Sequence, residues 1–341
     1  MDNFDSILNV SAVNTNDKTS VFAAESKENR NHCYDMSEKM TEKIASDSNA
    51  FQIFLDVQSR FDRYTANNAL LITAQNPEAQ KLGNYGYWRE QGAYVKRQEK
   101  NNPIFILEPG KEYTRDDGSI GTYYNAKKLY DISQTTLQEK PQQNASIDEK
   151  LLIRALISRP PVNISACEPD KMPENKGAVF VPEDNCIYVR KGMNAKDIFR
   201  SLTVELSLAG FANKDKDYYR DGYAFNAYCA SYLLCKKYGI ETKGYFDFSN
   251  APGYFRGMDN QEVRGELNNI RESASDISLR MSRPLLPFVL LSESEESAIC
   301  LSSSRTNVGM IIFPSINPVC NKSSILPSMI TLVSRILGRP L

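Results

Sequence analysis

The chain has 341 residues and a net charge of −1, with 41% hydrophobic and 24% charged side chains, a composition typical of a soluble globular protein of about two domains. This charge balance excludes nucleic-acid binding through an overall basic excess, so any such contact requires a local patch. Seven cysteines, an odd number without a CxxC pair, argue against a disulfide framework and indicate reduced thiols.

The N-terminal sequence has no basic stretch followed by an apolar run, so we expect no secretory signal. Every long segment of the sequence is interrupted by polar residues, so we expect no membrane-spanning segment and no membrane contact. Together with the reduced thiols, these features predict a cytoplasmic protein.

The N-terminal third begins with residues 1–35, which are polar and rich in Asn, Ser and Lys and predict a flexible leader. A helical pattern follows, and its strongest part predicts a single helix over residues 51–75. Strands are then predicted for residues 92–96, 103–107 and 123–132, the last two joined by a turn at Asp116-Asp117-Gly118-Ser119.

These elements predict an α+β domain over residues 36–136, with helix and a small antiparallel sheet. Residues 137–147 have the composition of a linker. A second, mainly helical domain is predicted for residues 148–283. Its expected elements are a helix over 148–158, a β-hairpin of 178–181 and 186–190, and helices over 194–212, 224–238 and 260–282. Asn194 is the expected cap of the helix over 194–212. Residues 284–341 form an atypical tail without acidic residues after Glu296, to which we assign no chemistry.

Basic and aromatic residues are interleaved in the first domain, as in proteins whose cations track phosphates and whose rings stack on bases. Arg60, Tyr64, Asn67 and Asn68 are spaced to share one face of the predicted helix. Residues of this kind are typical also of a packed core or a solvated strand, and the residues alone leave both interpretations open. The candidate nucleic-acid-binding set is Arg60, Arg63, Tyr64, Asn67, Asn68, Trp88, Tyr94, Lys96, Arg97 and Lys100.

The order of residues in this region matches a known pattern. Tyr64 and Asn68 lead to a turn at Gln75-Asn76-Pro77, Trp88 follows, and then come a Gly-x-x-Val-Lys segment at 92–96 and an apolar segment at 104–109. Residues 36–136 thereby resemble the N-terminal single-stranded-DNA-binding domain of ArdC-type antirestriction proteins. The resemblance implies single-stranded DNA as a partner. It departs from the family pattern at Arg97-Gln98-Glu99-Lys100, where a glycine is missing.

A second motif is Val204-Glu205-Leu206-Ser207-Leu208 in a predicted helix after the hairpin. The surrounding residues, 148–283, resemble the zincin-like peptidase domains that accompany ArdC-type modules in conjugative elements of Gram-positive bacteria. There the helix carries His-Glu-x-x-His, and a Glu on the next helix is the third zinc ligand. The resemblance therefore implies that Val204, Leu208 and Tyr228 stand at lost ligand positions and that Glu205 is vestigial.

The only histidine, His32, lies in the predicted leader, so the chain lacks the imidazoles that a zinc site or a Ser/His/Asp set requires. We expect no cofactor, no metal and no enzyme activity. We also expect Val204, Leu208 and Tyr228 to pack together as an apolar plug, with Glu205 facing solvent or pairing with a cation.

Two functions remain open at this point. The first is a single-stranded-DNA-binding, antirestriction-like accessory protein of a mobile genetic element, with a catalytically dead peptidase-like domain. The second is a protein-binding pseudopeptidase that holds a protein partner in the former cleft and uses the first domain only as a tether.

Overall fold

The computed structural model describes the backbone of residues 4–137 and 148–302 and the side chains of residues 24–137 and 148–285. These residues form two compact units. The first comprises residues 4–137 with Asp247–Asn268, and the second comprises residues 148–246 and 269–302. Each unit combines helices with a three-stranded sheet, so the predicted α+β class is confirmed.

Four helices open the first unit: α1 (Phe4–Ser46), α2 (Ser48–Arg60), α3 (Ala66–Gln75) and α4 (Tyr85–Glu90). The predicted leader over 1–35 is wrong for residues 4–35, which belong to α1. Cys33, Ser37, Met40, Thr41 and Ile44 are buried at helical spacing. Among residues 24–35 only Cys33 is buried, so this part of α1 has no apolar pattern that would have predicted a helix.

The predicted single helix over 51–75 is also wrong, because residues 61–65 separate α2 from α3. The Gln58 amide donates hydrogen bonds to the carbonyls of Phe61 (3.1 Å) and Tyr64 (3.4 Å). Thr65 then caps α3 by accepting the backbone N–H of Asn68. Arg60 and Asn67 consequently lie on different helices and do not share one helical face.

The first sheet contains β1 (Leu82–Gly83), β2 (Ile104–Thr114) and β3 (Ile120–Asp131), with the order β1-β3-β2 and antiparallel pairing throughout. The predicted strands over 103–107 and 123–132 and the turn between them are confirmed by β2 and β3, which pair as a hairpin. The predicted strand over 92–96 is wrong, because that segment forms only one bridge, between Val95 and Thr135. Gly92, at φ 72°, ends the α4 region in a left-handed conformation, and a 3-10 helix follows directly at Arg97–Glu99.

Strand β2 lies at an edge of its sheet, and helix α3 supplies the partners for its outer edge. The Asn68 side chain accepts the N–H of Leu107 (2.8 Å) and donates to its carbonyl (2.9 Å). Gln75 does the same for Phe105, at 2.8 and 2.9 Å. Two amide side chains seven positions apart on α3 thus replace the neighbouring strand that an edge lacks.

The second unit contains α5 (Glu149–Leu156), β4 (Asn163–Cys167), β5 (Ala178–Val181), β6 (Cys186–Arg190), α6 (Ala195–Lys214) and α7 (Arg220–Lys237). The predicted hairpin is β5-β6, and Asn194 caps α6 through the N–H of Asp197, as expected. Strand β4, which pairs in parallel with β6, was not predicted, because Asn-Ile-Ser-Ala-Cys lacks a clear apolar alternation.

The predicted domain limits need two corrections. Residues 247–268, including helix α8 (Ala251–Tyr254), belong to the first unit, where the Phe51 ring lies 5.7 Å from Phe248 and 5.4 Å from Phe255 between centroids. Helix α9 (Asn260–Ser302) continues past the predicted end at 283. Most of the predicted linker and residues 303–341 of the predicted tail lie outside the described residues.

No helix among the described residues is long and apolar enough to cross a bilayer.

The role of Asn68 can be tested by its replacement with Leu. This change removes both partners of the buried Leu107 peptide groups, and an unsatisfied buried group costs about 1–3 kcal/mol. We expect the free energy of unfolding, measured in urea, to fall by about 2–4 kcal/mol. Asn101→Leu, at an exposed position, is the control. Equal stability of the two variants would contradict this role of Asn68.

Candidate functional site

One cavity of the first unit, with a volume of about 840 Å³, gathers four of the predicted nucleic-acid-binding residues. Arg63, Tyr64, Asn67 and Asn68 line it, from the α2–α3 connection and the start of α3. The remaining predicted residues, Arg60, Trp88, Tyr94, Lys96, Arg97 and Lys100, do not line this cavity.

The cavity wall contains two further tyrosines that the sequence analysis missed. Tyr34 lies on α1 and is 43% exposed, and Tyr124 lies on β3 and is 41% exposed. With the half-buried Tyr64, they place three aromatic rings around one cavity. Tyr34 was missed because it lay in the predicted leader. Tyr124 was missed because strand alternation alone does not show that a ring borders a cavity.

The charged residues at the cavity fall into two groups. Glu38 pairs with Arg264 at 2.7 Å, and Glu108 pairs with Lys127 at 2.6 Å, so both carboxylates have a cation beside them. Arg63 is exposed and forms no ion pair within the described part of the chain. Arg63 is therefore the cation of this cavity that is available to an anionic ligand.

The two asparagines of the predicted set are engaged in the fold. Asn68 is buried and occupied by the Leu107 peptide groups, while the Asn67 Oδ1 accepts a hydrogen bond from the Ser37 hydroxyl at 2.5 Å. Arg60 donates to the backbone carbonyls of Pro77 and Ala79. Asn68 and Arg60 are structural residues, and their prediction as DNA contacts is corrected on this ground.

Trp88 cannot stack on a base, contrary to the prediction. Its ring is fully buried, in a cluster with Ala93, Val95 and Tyr130. The indole N–H donates to the Tyr130 carbonyl at 3.0 Å, which satisfies the one polar group that burial of a tryptophan leaves. The sequence showed an aromatic ring among cations but not that the ring belonged to the core.

The other predicted residues lie on a separate, exposed surface. Tyr94 is 66% exposed, and Arg97 and Lys100 are also exposed. The Lys96 ammonium donates to the Ser133 carbonyl at 2.7 Å. The cations and the exposed ring of this surface lie outside the 840 Å³ cavity.

The phenols of Tyr34 and Tyr64 are neutral at physiological pH. Burial raises the pKa of Tyr64, and the neighbouring Glu108 carboxylate raises it further. Burial also raises the pKa of Tyr34. Both hydroxyls therefore remain hydrogen-bond donors, without a negative charge that would repel phosphate.

The second unit contains a cavity of about 540 Å³, with Val204 and Tyr228 both on its wall. Arg200 and Tyr245 lie beside them, the guanidinium 3.5 Å from the centre of the ring. Leu208 is buried and does not line the cavity. The predicted plug of Val204, Leu208 and Tyr228 is therefore wrong. Leu208 lies one helical turn after Val204 and packs in the core.

Glu205 is buried, and it pairs with a cation, one of the two outcomes expected for it. Its carboxylate accepts hydrogen bonds from both terminal nitrogens of Arg220, at 2.9 and 2.5 Å, and from the Phe180 N–H at 2.7 Å. The hydrogen bonds that Arg220 donates to Glu205 raise the pKa of Arg220. Arg220 was not predicted as the partner, because it lies fifteen positions after Glu205 in the sequence.

No group of three His, Cys, Asp or Glu side chains suited to a metal ion occurs among the described residues. Cys229 and Cys235 on α7 are buried, and burial raises the pKa of Cys235 to about 12. A thiol is a metal ligand only as the thiolate, so the environment of these cysteines disfavours metal binding.

Comparison with known proteins gave two kinds of result. No protein-family model and no curated protein matches the chain. Two crystal structures of the antirestriction protein ArdC from plasmid R388 are similar to it, one metal-free and one with Mn(II) bound. Each is 14% identical in sequence, with TM-scores of 0.47 and 0.48. The alignments cover 73% and 72% of this chain and 98% of each of the others. A likeness this distant carries no information about activity.

The pair between Glu205 and Arg220 predicts a specific pattern of stability. Arg220→Met leaves the buried carboxylate without its cation, which costs about 3–5 kcal/mol for a fully buried pair. Because the Arg220 side chain is 35% exposed, we expect a loss of about 2–4 kcal/mol in chemical denaturation. Adding Glu205→Leu to Arg220→Met should recover most of it. If the double variant is as unstable as the single one, the pair does not carry this stability.

Proposed function

We propose that the first unit binds single-stranded DNA at the 840 Å³ cavity, and that the chain is an antirestriction-like accessory protein of a mobile genetic element. One observation carries the proposal: the exposed rings of Tyr34 and Tyr124 and the unpaired Arg63 border the same cavity. Single-stranded nucleic acid binds where a cation contacts phosphate and rings stack on bases, each stack contributing about 1–3 kcal/mol. The sequence resemblance over 36–136 supports the same partner.

The exposed rings and the low charge of the site favour a single strand over a duplex. The faces of bases in a duplex are covered by neighbouring bases, whereas a single strand can place an exposed base face against a tyrosine. The overall charge of −1 gives no broad attraction for the duplex backbone. Binding through stacking of bases on tyrosine rings, with one unpaired cation at the cavity, does not require a large positive net charge.

Binding of a thirty-nucleotide single strand to variants of the full chain can be measured by fluorescence anisotropy. Tyr34→Leu and Tyr124→Leu should each weaken binding by about 1–3 kcal/mol and leave the salt dependence unchanged, because each removes a stacking surface. Arg63→Ala should weaken binding and lower the salt slope by about 1.

Tyr94→Leu and Arg97→Ala are the matched controls, because both residues are exposed and lie outside the cavity. If only these controls lose affinity, the DNA lies on the other basic surface and the cavity assignment is wrong. If the parent chain does not bind the oligonucleotide at low salt, the proposed function itself is wrong.

We also propose that the second unit is a pseudoenzyme without metallopeptidase activity. Support comes from Val204 and Tyr228, whose side chains at the cavity offer no imidazole or carboxylate, and from the engagement of Glu205 with Arg220. A general base needs a bound water to activate, and Glu205 is occupied by three hydrogen bonds instead.

Elemental analysis of the purified full chain should therefore find no stoichiometric zinc, and a quenched-fluorescent peptide mixture should remain uncut. One zinc per chain would contradict the proposal, as would cleavage that a chelator abolishes.

A second candidate function is protein binding at the cavity of the second unit. The exposed Tyr245 ring over the Arg200 guanidinium favours it, because aromatic and arginine side chains dominate binding hot spots. If this cavity binds protein and not DNA, Tyr245→Ala should leave the affinity for the oligonucleotide unchanged in the same anisotropy assay.

A further inference from the structure

A second cavity of the second unit, of about 530 Å³, is lined by three arginines. Arg159 follows α5, and Arg280 and Arg283 lie on α9. Asp276 is the one acidic residue on its wall, and it pairs with Lys214 at 2.7 Å. Within the described part of the chain, none of the three arginines has a carboxylate partner. The wall therefore carries three arginines without an ion pair and one carboxylate that is already paired.

Arg280 is held in place but not neutralised. Its Nη1 donates to the backbone carbonyls of Leu156 (3.0 Å) and Ser158 (3.2 Å) at the end of α5. Its Nη2 is buried and has no hydrogen-bond partner. Burial lowers the pKa of Arg280, as expected for a charge that is desolvated without a counterion. Nη1 therefore caps the end of α5, but no carboxylate neutralises the charge of the guanidinium.

Arg159 adds an unusual backbone conformation. Its φ is 47°, in the left-handed region that a residue with a long side chain rarely adopts. Such conformations persist where the surrounding structure enforces them, and they are concentrated at binding sites. The conformation presents an exposed arginine to the cavity that Arg280 borders.

An apolar cavity of about 260 Å³ lies alongside and shares Arg159, Asp276 and Arg280 with the first. Its apolar wall is formed by Pro161, Leu206, Phe211 and Ile277, and its rim also carries Asn213, Ser273 and Lys214, the partner of Asp276. The two cavities together reach the size of a small-ligand site, about 300–1,000 Å³. A cationic compartment that opens beside an apolar one is complementary to a molecule with a charged head and an apolar body.

We propose that these two cavities form one binding site for a small organic anion, with a phosphate or carboxylate head at the three arginines and a short apolar body beside Leu206, Phe211 and Ile277. Arg280 supplies a fixed charge at the base of the site. Arg159 and Arg283, both exposed, supply hydrogen-bond donors to the anionic oxygens. The inference is independent of DNA binding by the first unit.

The experiment is isothermal titration of the full chain with octyl phosphate, octanoate, inorganic phosphate and 1-octanol. We expect saturable binding of octyl phosphate or octanoate, at least about tenfold tighter than inorganic phosphate or octanol, because only these probes fill both compartments. The stronger of the two identifies the head group.

Variants at the two exposed arginines, Arg159 and Arg283, test binding without disturbing the buried core. Arg283→Gln and Arg159→Gly should each weaken binding of the preferred probe at least about tenfold. Arg159→Gly should leave the melting temperature unchanged or raise it, because glycine accepts φ 47° without strain. Arg154→Gln, at an exposed arginine of α5 outside both cavities, should bind like the parent.

Three results would overturn the proposal. The first is equal binding of octanol and octyl phosphate, which would show an apolar cavity without an anion site. The second is the absence of saturable heat with either amphiphile at millimolar concentration. The third is displacement of octyl phosphate by a single-stranded oligonucleotide from the parent and from Arg63→Ala alike, which would assign the arginines to nucleic-acid phosphates.

Discussion

The first unit depends on the way in which helix α3 completes the edge of strand β2. Asn68 and Gln75 each bond both peptide groups of a strand residue, Leu107 and Phe105 respectively. An edge strand otherwise exposes unpaired groups that attract other strands. The contact closes that edge and fixes the start of α3 beside the strand. The Arg63–Tyr64 segment that precedes α3 is thereby placed at the cavity.

The same contact changes the meaning of the motif that suggested DNA binding. The Tyr64-to-Gln75 segment matched the family pattern, but Asn68 and Gln75 serve the fold, as does Trp88 in the core. The side chains left for a ligand are those without internal partners, chiefly Arg63 and the exposed rings of Tyr34 and Tyr124. A sequence motif of this kind can mark a scaffold, while the binding surface lies on residues next to it.

The second unit shows how a buried carboxylate is accommodated in a protein interior. Glu205 is buried, and a buried charge is costly unless it is paired and hydrogen-bonded. Arg220 and the Phe180 N–H meet that requirement. The cavity beside Val204 and Tyr228 is bordered mainly by polar and charged residues, among them Arg190, Asp197 and Arg200. The unit therefore has a concave surface bordered by Val204 and Tyr228, next to a carboxylate that is fully engaged by its own fold.

The sequence by itself determined the α+β class, the β2–β3 and β5–β6 hairpins and the Asn194 cap of α6, because these follow from local periodicity, turn chemistry and capping. It also placed Arg63 and Tyr64 in the candidate site. Only the tertiary structure decided that residues 4–35 are helical, that Trp88 is buried, and that Tyr34 and Tyr124 border the cavity of Arg63. Contacts between residues far apart in the chain decide which side chains are buried and which of them come together at one cavity. Local patterns do not encode which distant side chain covers a ring or, as Arg220 does for Glu205, neutralises a carboxylate.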